Sequence, residues 1–370
     1  MKTILSTLLV LMLAGGAAAW GGWQLYEGFL ATPVALEEQA VLEIPDGATI
    51  RSVAHELADR GWIPSRFLFT LHAYETERQN ALKAGEYAIE PGMRPGDLLA
   101  LFASGKSIQF PVTIVPGTRF RDAIKTIAEA GVFDVQLRNL SDAEIMERLG
   151  IDAEHPEGWL YPDTYLYRRG TSDVEILTRA HKRMQAVLAE EWAARGDDLP
   201  IDSPYEALIL ASIVEKETGK AAERPRIAGV FARRLQQGMK LQTDPTVIYG
   251  LGDAYQGNIT REHLRQATPY NTYVIPALPP TPIALPAREA IHAVLHPADG
   301  DEIFFVARGD GSHYFSATYE EHNCAVQHYQ LKKPCANLRD EEAMQAKDAE
   351  DTEDAEATGE EAGATAAADA

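Results

Sequence analysis

Hydrophobic and polar positions divide the chain into an uncharged N-terminal segment followed by two stretches with globular patterning. The 24 residues from Thr3 to Tyr26 carry no charge and are long enough to cross a bilayer as a helix. Trp20, Trp23 and Tyr26 lie near the end of this segment, and aromatic rings favour the membrane–water interface. The pattern therefore predicts a transmembrane helix that anchors the chain through residues 1–30.

A cleavable signal peptide is the alternative for the same segment. The apolar run Ile4–Leu13 is short, and Ala17–Ala19 after it resemble a cleavage site. Both interpretations place everything after residue 30 outside the cytoplasm. We expect an uncleaved anchor, because the aromatic cluster falls where the far headgroup layer would lie.

Residues 41–133 show a strand, two helices and a second strand in succession. Leu42–Ile44 and Gly85–Ile89 have strand patterns, while 50–58 and 67–74 carry apolar residues at helical spacing. This βααβ order resembles the LysM class of glycan-binding modules, and we predict a small LysM-like domain here. A plain α+β spacer domain would give the same pattern.

A polar stretch at residues 134–156 is the predicted boundary before a larger second domain over residues 157–333. A long amphipathic helix, Ser172–Arg195, lies early in that domain, and short strands such as Glu302–Ala307 follow among Pro-rich loops. Helices mixed with short strands indicate the α+β class for this domain.

The C-terminal residues 340–370 are strongly acidic. They hold twelve Asp or Glu residues and one Lys, which is about half of the chain's net charge of -21. With little apolar surface to bury, this segment is predicted to be a disordered acidic tail that is dispensable for activity. The rest of the chain is mildly acidic, which argues against non-specific binding of nucleic acid.

The helix predicted over Tyr205–Thr218 carries a candidate for acid–base chemistry. Glu217 continues the apolar stripe that includes Ile213 and Val214, so its carboxyl is expected on a buried face. Burial and the C-terminal end of the helix dipole both raise a carboxyl pKa, as a general acid near neutral pH requires. The alternative is that Glu217 leans outward and pairs with Lys220.

Metal and thiol chemistry receive little support from the sequence. Cys324 and Cys335 are the only cysteines, and a disulfide and two free thiols are equally compatible with their spacing. His292 and His296 lie four residues apart on a predicted helix, but no third ligand follows at useful spacing. We therefore predict neither a metal nor a cofactor.

Several longer motifs, in order along the chain, closely resemble the endolytic murein transglycosylase family, also called YceG-like. The motifs are Glu157–Tyr165, Ala211–Thr218, Leu241–Gly250, Tyr270–Tyr273, His313–Phe315 and His322–Asn323. They cover about residues 157–329, and the predicted anchor and LysM-like unit agree with the layout of that family.

The resemblance implies a lyase that cuts peptidoglycan glycan strands internally, with Glu217 as its single acid and base. Such an enzyme cleaves the bond from muramic acid to glucosamine in nascent strands. It leaves 1,6-anhydromuramic ends and limits strand elongation. The family's location implies a single-pass protein of the inner membrane, with a cytoplasmic N-terminus, a periplasmic catalytic domain and peptidoglycan synthases as partners.

Six further residues are candidates for supporting Glu217 or binding the glycan. Glu215 lies on the same helix, and its alternative is an ordinary surface charge beside Lys216. The others come from two of the family motifs: Gln242, Thr243, Asp244, Asn271 and Tyr273. For the carboxylate of residue 244, capping of the next helix is a competing role.

Two other functions remain open at this stage. A muramidase would make the same cut with water as acceptor, and its product would be heavier by one water. A non-catalytic wall-binding scaffold would keep the fold, but the presence of Glu217 argues against it.

Overall fold

The computed structural model describes residues 2–130, 134–335 and 338. The acidic tail predicted over residues 340–370 lies outside the described residues. Contacts divide the described chain into two compact units whose segments alternate along the sequence. The first unit holds residues up to 113, 124–140 and 164–176, and the second holds 114–123, 141–163 and 177 onwards. The predicted domain limits, which follow one another along the sequence, stay a prediction.

The N-terminal segment forms one long helix, α1 (Lys2–Ala31). Within it, Thr7–Ala31 is long and apolar enough to cross a membrane, and it is the only such helix in the described part of the chain. At its end, Tyr26 and Phe29 are buried against the first unit. The apolar helix predicted from the sequence is therefore present, and its length is compatible with a single-pass anchor.

The first unit is built around a pair of antiparallel strands with helices packed on them. Its elements are β1 (Ala40–Ile44), α2 (Ile50–Asp59), α3 (Arg66–Glu75), β2 (Gly85–Ile89), α4 (Pro95–Ser104), β3 (Phe110–Thr113) and, in part, α5 (Phe120–Glu129). Leu42 pairs with Tyr87 across the β1–β2 ladder, and both side chains are fully buried. The predicted βααβ order is present, while the likeness to LysM modules stays a prediction.

A helix lies inside the stretch that was expected to be a polar boundary. This helix, α6 (Asp142–Leu149), buries Ile145 and Leu149 and starts with a reciprocal capping box between Ser141 and Glu144. The polar stretch thus contains a short helix that its cap and two buried side chains hold in place, while the predicted boundary stays a prediction. After it, β4 (Thr164–Tyr167) pairs antiparallel with β3.

The second unit is mainly helical. Its elements after α6 are α7 (Asp173–Ala193, shared with the first unit), α8 (Pro204–Glu217), α9 (Arg224–Gln236), α10 (Asp244–Leu251), α11 (Arg288–Leu295), β5 (Phe304–Ala307), β6 (His313–Ser316) and α12 (Tyr319–Tyr329). β5 and β6 form an antiparallel hairpin against which α12 packs. The mixed α+β class predicted from the sequence is confirmed.

Helix α8 runs through the middle of this unit. Every residue from Ala207 to Val214 is buried, and α9 and α11 pack against it. Ser203 caps its first turn by accepting a hydrogen bond from the backbone N–H of Glu206. A helix enclosed on all sides holds the residue at its end in a fixed position, and that residue is Glu217.

The two cysteines form a disulfide that joins the middle of α12 to the segment after this helix. The Cα atoms of Cys324 and Cys335 lie 5.5 Å apart, within the range that a disulfide spans. Of the two possibilities that the sequence left open, the structure has the disulfide.

Candidate active site

Glu217 ends α8 at the edge of an open cavity of about 400 Å³. The cavity is bordered by the segment 241–244, by β5 and by α12, all of which belong to the second unit. The Glu217 side chain is partly exposed to this space, while the protein around it removes most of its water. A carboxyl in such a position can reach a bound molecule without being fully hydrated.

The surroundings of Glu217 favour its protonated form. Burial raises the pKa of this carboxyl to about 7, and the nearby Asp244 carboxylate acts in the same direction. A hydrogen bond from Thr243 and the charge of Arg234 oppose the increase in pKa. A carboxyl with a pKa near neutrality can both give and take a proton at physiological pH.

Thr243 holds the Glu217 carboxylate in place. Its hydroxyl donates a hydrogen bond to Oε1 of Glu217. The backbone N–H of Thr243 donates to Oγ1 of Thr272 at 3.0 Å, and its carbonyl accepts from Oγ1 of Thr246 at 2.8 Å. These buried threonines fix the backbone of residue 243, so the hydroxyl that orients Glu217 is itself rigidly placed.

Gln242 and Arg234 form the floor of the cavity beside Glu217. Gln242 has a φ of 53°, a left-handed conformation that is uncommon for residues other than glycine. Arg234, on α9, donates to the carbonyls of Leu241 and Ile303 at 2.7 and 2.6 Å, which ties the cavity segment to the β5 region. The strained turn at Gln242 is thus held by its neighbours and exposes a side-chain amide at the cavity edge.

Asp244 and Tyr273 form a second polar pair at the cavity. The Tyr273 hydroxyl donates to Oδ1 of Asp244 at 2.7 Å, and both side chains border the cavity. Asp244 is the first residue of α10, yet its carboxylate accepts a hydrogen bond from this tyrosine. Burial, and to a smaller extent this hydrogen bond, raise the pKa of Tyr273. The pair offers an exposed carboxylate and an aromatic ring toward the cavity.

Asn271 is turned away from the cavity. It is fully buried, its Nδ2 donates to the carbonyls of His263 and Gln266, and its Oδ1 accepts from the backbone of Tyr273. With its donors and acceptor engaged by the backbone, this side chain shapes the loop that presents Tyr273.

Glu215 also points away from the cavity, although it lies only two residues before Glu217. Its side chain is 5% exposed and pairs with Arg224 at 3.5 Å, and Oε2 accepts from the backbone N–H of Ala287 at 3.0 Å. The exposed charge on this helix is Lys216. Glu215 thus joins α8 to the segment before α11.

We expect Glu215→Gln to lower stability with little effect on the catalytic step. The amide can still accept from Ala287, but the largely buried Arg224 loses its counter-charge, which costs about 1–3 kcal/mol. Thermal unfolding and the rate at saturating substrate measure the two effects separately, with Lys216→Gln as the exposed control. A large loss of rate without a drop in unfolding temperature would instead place Glu215 in the catalytic machinery.

Three ring-bearing side chains of α12 and β6 border the same cavity and were not singled out individually from the sequence. Tyr319 is 67% exposed, and His322 stacks on Phe304 with ring centroids 5.0 Å apart. Burial and the charge of Arg234 lower the pKa of His322, so its imidazole is neutral near pH 7. His313 is held by Glu223 through Nδ1 at 2.8 Å. The motifs His313–Phe315 and His322–Asn323 were the signal for the two histidines, whereas Tyr319 lies in neither motif.

A second carboxyl with a raised pKa lies outside this cavity. Burial raises the pKa of Glu157 to about 7. Its Oε1 accepts from the backbone N–H of Phe120 at 2.8 Å, and Oε2 accepts from the Tyr249 hydroxyl at 3.2 Å. The surrounding chain encloses this carboxyl, so of the two acids Glu217 is the one that meets open space.

The sequence profile of the YceG-like family matches residues 42–328 of this chain. An endolytic murein transglycosylase from Bacillus subtilis (strain 168) is 28% identical over 328 residues, which cover 84% of this chain and 90% of that protein. An endolytic murein transglycosylase from Streptococcus pneumoniae serotype 2 (strain D39 / NCTC 7466) is 25% identical over 354 residues. That alignment covers 86% of this chain and 64% of the streptococcal protein.

A crystal structure of a YceG-like protein from Listeria monocytogenes is 30% identical in sequence. The comparison covers 78% of this chain and 99% of that one, with a TM-score of 0.48.

Proposed function

This chain belongs to the YceG-like family, and from that premise we propose that it is an endolytic murein transglycosylase that cuts peptidoglycan glycan strands. The observation that carries the proposal is Glu217, a carboxyl with a pKa of about 7 at the edge of an open cavity. The names of the relatives from Bacillus and Streptococcus support the same activity.

In the proposed reaction, protonated Glu217 donates its proton to the oxygen that bridges muramic acid and glucosamine. The bond from this oxygen to the muramic anomeric carbon breaks as the proton arrives. Glu217, now ionised, accepts the proton of the muramoyl 6-hydroxyl, and that oxygen bonds to the anomeric carbon. One C–O bond at the anomeric carbon breaks, another forms there, and Glu217 ends the cycle protonated as it began. The products are a 1,6-anhydro end and a free glucosamine end.

Thr243 and the cavity walls have defined roles in this scheme. The Thr243 hydroxyl holds the Glu217 carboxylate in one orientation during both proton transfers. Gln242 and the Asp244–Tyr273 pair offer hydrogen-bonding groups for sugar hydroxyls and N-acetyl groups. The exposed ring of Tyr319 gives a sugar ring an aromatic face to pack against.

The second candidate function is hydrolysis by a muramidase mechanism, and Asp244 is the residue that favours it. It is a carboxylate in the same cavity as Glu217, and a pair of carboxyls is the usual equipment of hydrolytic glycosidases. A Glu–Asp pair of this kind would activate water in place of the 6-hydroxyl.

Mass analysis of purified glycan strands digested in heavy-oxygen water separates the two reactions. The transglycosylase yields muramic ends that lack one water and carry no heavy oxygen. A muramidase yields reducing ends that carry it. Intact strands would instead support a non-catalytic wall-binding scaffold.

We propose that α1 anchors the enzyme in the inner membrane, with the rest of the chain in the periplasm. The uncharged run Thr3–Tyr26 within α1 supports the anchor. The Cys324–Cys335 disulfide suits an oxidising compartment outside the cytoplasm. An enzyme fixed at this surface meets nascent strands as they leave peptidoglycan synthases, so these synthases are its proposed partners. Internal cuts there would limit strand elongation.

A further inference from the structure

A cluster of side chains of the types that bind metals lies on the second unit, outside the proposed catalytic cavity. It consists of Glu191, on α7, with His292 and His296, on and just after α11. One ring nitrogen of each histidine and one oxygen of the carboxylate lie within 4.8 Å of one another. The sequence shows the histidine pair, and folding brings Glu191 to it from 101 residues earlier in the chain.

Hydrogen bonds around the cluster prepare its ligand atoms. Nε2 of His296 lies 2.8 Å from the carbonyl of Ala194, and Nδ1 lies 3.2 Å from the carbonyl of His292. A proton on Nε2 satisfies the shorter contact and leaves Nδ1 unprotonated beside a carbonyl oxygen, so Nδ1 can bind a cation. Nδ1 of His292 faces Oε2 of Glu191 at 2.8 Å, a separation at which one ion can contact both atoms. Metal-bound histidines usually donate their other N–H to a carbonyl in this way.

The Glu191 carboxylate is oriented on its other side as well. Its Oε1 accepts from Nη1 of Arg288 at 2.9 Å, which leaves Oε2 directed at His292. Glu190 pairs with the same guanidinium at 2.5 Å, so the positive charge next to the cluster is neutralised. The side chain of Glu191 is 8% exposed, and it therefore gains from a cationic partner.

We propose that Glu191, His292 and His296 bind one divalent transition-metal ion, for which Zn²⁺ is the best match. Two imidazoles and one carboxylate form a ligand set that zinc accepts, and they leave a fourth position for water. Mg²⁺ and Ca²⁺ prefer oxygen ligands only and should not compete. The ion would join α7 to α11, which packs directly on the catalytic helix α8, and would stabilise this part of the fold.

Titration of the untagged full-length protein in detergent tests the site. We expect calorimetry to show that one equivalent of Zn²⁺ binds and that Mg²⁺ does not bind at this site. Zn²⁺ should also raise the unfolding temperature, and EDTA should reverse that rise. Co²⁺ in place of Zn²⁺ should give the visible absorption of a low-coordinate histidine site.

Single substitutions assign the binding to these residues. His292→Asn and His296→Asn should each lose the Zn²⁺ equivalent and the Co²⁺ spectrum, while their unfolding temperature in EDTA stays near that of the native protein. His55→Asn is the matched control. His55 lies on the exposed face of α2, where its Nδ1 contacts Asp59 at 3.2 Å and Arg66 at 3.4 Å, and it belongs to no group of metal-ligand side chains among the described residues. No saturable binding, or binding that survives both substitutions, overturns the proposal.

A second surface, independent of the metal site, lies on α3. Phe67, Leu71 and Tyr74 follow one another at spacings of four and three residues, so they form one stripe along this helix. Their exposures are 71%, 44% and 48%, although the opposite face of α3 is buried in the first unit. An aromatic and aliphatic stripe of this size is unusual on a face left to water.

The position of α3 against α1 identifies what covers the stripe. The Tyr26 hydroxyl of α1 contacts Nδ1 of His72 at 2.8 Å and also Glu75, and both of these residues lie on α3. Tyr26 is the last of the aromatic residues at the end of the apolar segment, so α3 lies at the depth of the predicted membrane interface. We infer that the stripe on α3 enters the lipid headgroup layer beside α1, an inference that rests on the proposed anchor.

Spin labels in the full-length protein, reconstituted in phosphatidylethanolamine and phosphatidylglycerol vesicles, test this contact. Leu71→Cys carries the label on the stripe, Leu13→Cys carries one within the anchor, and Arg51→Cys carries one on the polar surface of α2. We expect oxygen to relax the first two labels more than a water-soluble nickel chelate does, and the reverse at residue 51.

The three labels separate the two ways in which the inference fails. A lipid-exposed label at residue 13 with a water-exposed label at residue 71 overturns the contact and leaves the anchor in place. A water-exposed label at residue 13 overturns both.

Discussion

Glu217→Gln is expected to lower the rate of glycan cleavage by at least about 100-fold, because general acid–base catalysis typically contributes 10²–10⁴-fold. The amide has the size of the carboxyl and can still accept the hydrogen bond from Thr243. It cannot transfer a proton to the bridging oxygen or take one from the 6-hydroxyl. The turnover of defined glycan strands, followed by chromatography of the products, measures the loss.

Folding should survive this substitution. Burial raises the pKa of Glu217 to about 7, which means that the ionised carboxylate is costly in the folded protein. A neutral amide removes that cost, so the unfolding temperature at pH 8 should stay the same or rise. An active Glu217→Gln protein, together with an inactive and stable Glu215→Gln protein, would move the acid–base role to Glu215.

The position of Glu217 could be predicted from the sequence because helix periodicity is a local property. Leu210, Ile213 and Val214 lie on one face of α8, and their spacing places Glu217 next on that face. The structure has that helix end at Glu217, with the carboxyl at the cavity edge. The partner of the carboxyl, Thr243, was a candidate only through a family motif, because it lies 26 residues later in the chain and helix periodicity does not relate the two.

Other parts of the site depend on contacts that no local pattern records. Arg234 supports the cavity through backbone carbonyls, and Tyr319 and His322 reach it from a helix near the end of the described chain. Asn271 was a candidate for binding the glycan, but its side-chain amide donates to backbone carbonyls. A sequence motif does not show whether such an amide faces a ligand or the backbone. Helix α6 was not predicted, because polar residues surround its two buried side chains, although Ser141 and Glu144 have the spacing of a capping box.

Thr243→Val should move the alkaline limb of the pH–rate profile to higher pH. The general acid must carry a proton, so activity is full below the pKa of Glu217 and is lost as the pH rises through about 7. The Thr243 hydroxyl donates to the ionised carboxylate and thereby holds this pKa down. A hydrogen bond to a charged group contributes about 1.5–3 kcal/mol, so its loss should raise the pKa by roughly one unit or more.

Valine has nearly the shape of threonine, and the extended backbone at residue 243 accepts a β-branched side chain. The hydrogen bonds that hold this residue's backbone to Thr246 and Thr272 therefore remain. Thr243→Ser keeps the hydroxyl and should leave the alkaline limb where the native enzyme has it. The value of kcat/KM between pH 5 and pH 9 distinguishes the two variants. An alkaline limb that stays in place in Thr243→Val would mean that the ionisation which limits the rate does not belong to Glu217.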